Sequence, residues 1–104
     1  MLLPKKVKIA YRWYKVEELG AVDAQSLHGD TNSTKGVIRL FTEQEPQIVI
    51  NTLLHEIIHA VLQEYGLERY DKEHLVCTLS NGLCQVLRDN PEVLKLLEFP
   101  DDVA

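Results

Sequence analysis

Only two of the 104 residues are cysteines, Cys77 and Cys84, seven positions apart. On one helix that spacing holds the Cα atoms about 10 Å apart, too far for a disulfide. The CxxC spacing of many metal sites is missing too, so the pair is expected to act as small apolar fillers. The chain also lacks any apolar run of membrane-spanning length, and "MLLPKKVKIA" has no signal-peptide core. Cations are in short supply: the net charge is -5 and the isoelectric point about 5.3. That balance argues against a nucleic-acid or anionic-membrane surface, since both need clustered Lys and Arg. Lys5, Lys6, Lys8, Arg12 and Lys15 alternate with apolar residues and read as the wet face of a strand. There is no repeat, low-complexity segment or linker. One cytoplasmic domain spanning 1–104 is expected, with 45% apolar content to form its core.

What the chain does contain divides into a strand half and a helix half. Residues 7–16, "VKIAYRWYKV", suit a half-buried strand, and 36–41, "GVIRLF", suit another. Between them "SLHGDTNSTKG" carries the turn residues of a hairpin tip, with a short strand expected near 26–30. Residues 17–25 fit a short helix or a loop equally well. Thr42 and Glu45 form a capping-box pattern and Pro46 suits a first turn, so a helix is predicted from 43–47 to Tyr65, stopped by Gly66. Asp71 can cap a second helix over 72–89, and Asn90 with Pro91 can start a third over 91–98. The expected class is α+β: a small antiparallel sheet of about three strands packed on two long helices.

The first long helix holds "LLHEIIHAVLQEYG", residues 53–66. Residues four apart on a helix are offset by about 40° around it and about 6 Å along it, so His55 and His59 can converge on one ion. Glu56 lies about 100° from His55, beside such an ion and placed to act as a base on water. A shuffled sequence of this composition would contain H-E-x-x-H roughly 1 to 2% of the time. Two histidines on an amphipathic helix that merely happen to match are the bland alternative. Against it stands the setting, because the rest of this helix is nearly all apolar and reads as the central buried element. Polar groups there cost desolvation energy unless they are bonded or bind something.

"TLLHEIIHAVLQEYG" resembles the active-site helix of the zincin metallopeptidases. "EHLVCTLSNGLCQVLRDNPE" and the small size resemble compact zincin-like proteins of phages and prophages, and more distantly the peptidases that cleave phage repressors and the SprT-like group. The match covers residues 52–92. It implies that His55 and His59 bind Zn2+, that Glu56 is the general base, and that the substrate is a peptide or protein. The pattern departs from the resemblance at the third ligand. No histidine follows His59 closely, and "YDKEHL" offers a His without the flanking glycines of the SprT-like group.

Glu73 and His74 therefore compete for that role. If Leu75, Val76, Leu79, Leu83, Val86 and Leu87 form the packed face of the second helix, its mean direction lies roughly 90° from Glu73 and about 170° from His74. Glu73 is expected as the ligand, although a first-turn carboxylate is also what a helix dipole favours. His28, Tyr65 and Tyr70 are the candidate oxyanion donors, and the strand near 26–30 is the expected edge for a peptide. Two readings compete with a zinc-dependent peptidase: a structural zinc clip with four protein ligands, and a zincin-like interaction module without activity.

Overall fold

A computed structural model describes residues 2–20 and 28–98. Its elements are β1 (Lys6–Ile9), β2 (Arg12–Glu18), β3 (Gly29–Asn32), β4 (Val37–Leu40), α1 (Pro46–Glu64), α2 (Glu73–Asp89) and α3 (Pro91–Leu96), with a short 3-10 turn, Glu68–Tyr70, between α1 and α2. The class is α+β, as expected. The sheet is larger than expected and mixed: four strands in the order β1-β2-β4-β3, with β2 and β4 parallel and both outer pairs antiparallel.

The extra strand arises because residues 7–16 form a hairpin, not one strand. The chain reverses at Ala10–Tyr11, with Ala10 at a φ of 57°. A change of parity explains the reversal. Val7 and Ile9 face inward at odd positions, Tyr14 and Val16 at even ones, as a two-residue turn requires. The parallel pair follows from β3 taking the sheet edge and β4 returning between β3 and β2. The expected loop or helix at 17–25 is a strand end at Glu17 and Glu18, and 21–25 lie outside the described residues.

The core joins the inner face of the sheet to one face of α1: Ile9, Tyr14, Ile38, Leu40, Val49 and Ala60, with Leu53 and Ile57 packed against them. Hence α1 is not buried all round, and Ile48, Ile50 and Val61 are partly exposed. Its start follows Pro46 at the first position, but Thr42 forms no capping box; its hydroxyl donates to Glu18 Oε1 at 2.6 Å. Gly66, at a φ of 74°, ends the helix as expected. At Gly29 any Cβ would sit 2.7 Å from the Arg39 carbonyl oxygen and 2.9 Å from Thr52 Cγ2, so glycine is what lets β3 approach α1.

Two further expectations fail in the second helix. Asp71 does not cap α2, whose N-cap is Lys72 without a side-chain bond. The supposed packed face is largely open: Val76 and Ser80 are buried, whereas Leu75, Leu79, Leu83 and Val86 are not. Asn90 flanks α3 as expected, yet its side chain donates back to the Val86 carbonyl at 2.8 Å. Among the described residues no helix is long and apolar enough to cross a membrane.

Candidate metal centre

Polar residues recur at every fourth position of α1, at Gln47, Asn51, His55, His59 and Gln63, and so form a stripe turned away from the sheet-facing Val49, Leu53 and Ala60. The antiparallel α2 lays its own polar residues along this stripe. Gln47 Nε2 meets Cys84 Sγ at 3.7 Å, Asn51 Nδ2 donates to Asn81 Oδ1 at 2.7 Å, and Cys77 Sγ lies 3.8 Å from His55 Nδ1. Edge strand β3 forms the other wall. Together they bound an open cleft of about 1020 Å³.

The two imidazoles converge in this cleft. Their Nε2 atoms are 3.1 Å apart, and the Glu73 carboxylate spans them, with Oε1 at 2.6 Å from His59 Nε2 and Oε2 at 3.3 Å from His55 Nε2. Both rings are mostly buried, while Glu73 reaches in from the open rim, its side chain 72% exposed. His74, on the next position, is exposed, and its carbonyl accepts the Thr78 hydroxyl.

Asp71 fixes the ring of His59: its Oδ1 lies 2.5 Å from Nδ1, and Gln63 Nε2 donates to its Oδ2 at 2.8 Å. A carboxylate on Nδ1 leaves Nε2 as the lone-pair nitrogen facing Glu73. Burial alone would lower the pKa of His59, but the hydrogen bond and charge of Asp71, with Glu56 and Glu73, outweigh it and raise the imidazole above its ordinary value. Glu56 is buried at 6% exposure, and burial raises its pKa despite the Thr31 hydrogen bond and the nearby imidazoles. The Thr31 hydroxyl, on β3, lies 2.6 Å from Glu56 Oε1.

This donor set suits zinc. Ligands about 2.0–2.1 Å from one tetrahedral centre lie roughly 3.3 Å from each other. The 3.1 Å between the two nitrogens and the 3.3 Å from His55 Nε2 to Glu73 Oε2 are close to that value, whereas the 2.6 Å from His59 Nε2 to Oε1 is hydrogen-bond short. Cys77 Sγ approaches His55 on its Nδ1 side at 3.8 Å, and its thiol also groups with His55 and Glu73, as Glu56 does with the two histidines, each set within 4.8 Å.

His55, Glu56, His59 and Glu73 are thus brought together. His28 also lines the cleft, with Nδ1 2.7 Å from Gln44 Oε1, whereas Tyr65 and Tyr70 are exposed and outside its lining. The cysteines are not fillers: Cys77 is exposed and both line the cleft. The four-residue recurrence along α1 is visible in the sequence and would have flagged Gln63 and Asn51. Thr31 leaves no such trace, because its pairing with Glu56 spans 25 positions. No protein-family model, curated protein or solved structure matches the chain.

Proposed function

We propose that this chain is a minimal zincin-type metallopeptidase in which His55, His59 and Glu73 hold one Zn2+ and Glu56 is the general base. The observation that carries the reading is the Glu73 carboxylate spanning both imidazole Nε2 atoms, with the buried Glu56 at their side. Zinc held there would acidify a water and polarise a peptide carbonyl.

The chain's own groups account for the rest. Thr31 anchors one oxygen of Glu56 and leaves the other for the cleft, where it can take the proton of the attacking water and deliver it to the leaving amine. Strand β3 pairs with β4 on one side only among the described residues, so its outer edge can align an extended peptide along the cleft. Of the three candidate oxyanion donors His28, Tyr65 and Tyr70, His28 alone lines the cleft and is assigned that role.

The test is Glu56→Gln. Zinc content and fold are retained, and hydrolysis of a peptide cleaved by the parent falls by about two or more orders of magnitude. A variant that keeps cleaving at the parent rate removes Glu56 from the chemistry. A parent that binds zinc but cleaves none of a broad peptide library supports the interaction-module reading.

A further inference from the structure

The outer side of α2, turned away from the cleft, carries Leu75, Leu79, Leu83 and Val86, each 39–44% exposed and with no charge among them. Gly82 lies in their midst, and a Cβ added there would meet nothing within 4 Å. A glycine inside a helix is costly relative to alanine, and no contact among the described residues requires one here. It opens a shallow notch in an apolar face, which a side chain of another helix can fill.

The chain carries a net charge of -5, so two copies repel over most of their surface and meet best through an uncharged face.

We infer that α2 packs antiparallel against α2 of a second copy across a two-fold axis, making the protein a homodimer. In that register Leu75 of one copy opposes Val86 of the other, Leu79 sits over Gly82, and Lys72 meets Asp89 at each end. Charge complementarity supports the register. Lys72 has no ion pair among the described residues, and Asp89, whose Oδ2 accepts from Gln85 Nε2 at 3.0 Å, has as its ion pair only the exposed Arg88 at 3.7 Å. The cleft-lining Glu73 and Cys77 project about 120–160° from Leu79 around the helix, so both clefts stay open in the dimer.

Sedimentation equilibrium over micromolar concentrations tests this. The parent chain has the mass of a dimer, and Leu79→Glu has that of a monomer with an unchanged helical circular dichroism spectrum. Lys72→Asp weakens association about tenfold, and adding Asp89→Lys restores it. If Leu79→Glu does not fold, the charge-reversal pair decides by itself. A parent that is monomeric throughout, as it would be if another protein or its own terminal segment covered this face, overturns the proposal. So does a dimer that neither Leu79→Glu nor Lys72→Asp weakens.

Discussion

At the scale of single residues, the centre separates groups that hold from groups that orient. Glu73 reaches both imidazoles and His74 neither, so Glu73→Ala is expected to weaken zinc binding by orders of magnitude and His74→Ala to leave it nearly unchanged, as read by competitive titration against a zinc chelator. Asp71 acts one step further out. Asp71→Asn removes the charge on His59 Nδ1 while keeping the shape, and losses of about 10- to 100-fold in zinc affinity are typical for such a partner. An unchanged affinity would show that the ring is held by other means. The sequence makes His55, Glu56 and His59 legible because their convergence depends only on helical spacing. Asp71 was misread because an Asp before a helix is also what a cap looks like, and only the fold brings it to His59 across 12 positions.

At the scale of elements, β2 and the end of α1 are clamped by Glu64. Its Oε2 accepts the Tyr14 hydroxyl at 2.5 Å and Arg12 Nη1 at 3.1 Å, and Arg12 also donates to the Ser33 carbonyl at 2.7 Å. Burial, then the hydrogen bond and charge of Glu64, push the Tyr14 phenol up to about 12. Because the folded value lies above the unfolded one, the contribution is complete below about pH 10 and is lost as pH rises through about 12. Tyr14→Phe should cost about 1.5–3 kcal/mol at neutral pH, the range for a hydrogen bond to a charged group. Its stability should then fall less than the parent's between those pH values in urea titrations; equal slopes would exclude the phenol as the cause. The elements themselves were unevenly legible. Gly66 and Pro46 mark helix ends through backbone chemistry alone, whereas the hairpin within 7–16 lacks a Gly or Asn at its turn and shows only in the parity shift from Ile9 to Tyr14.

At the scale of the whole molecule, the proposed metal would reinforce a seam between α1 and α2 that runs through polar contacts more than through apolar burial. Buried contacts concentrate where the sheet meets α1, and α2 buries only Val76 and Ser80. Zinc held by His55 and His59 of α1 and Glu73 of α2 would tie α2 to this core, and since the three donors converge only in the folded chain, binding is coupled to folding. With free zinc a thousandfold above its dissociation constant, that coupling is worth about 4 kcal/mol. Chelation is then expected to lower the melting temperature by on the order of 15 °C or more for a domain of this size. Glu73→Ala should already melt near the chelated parent and respond little to added zinc. A parent whose melting is indifferent to zinc and chelator alike would remove the metal from the fold. A parent stabilised by zinc together with a Glu73→Ala variant stabilised just as much would keep the metal and move the third ligand elsewhere.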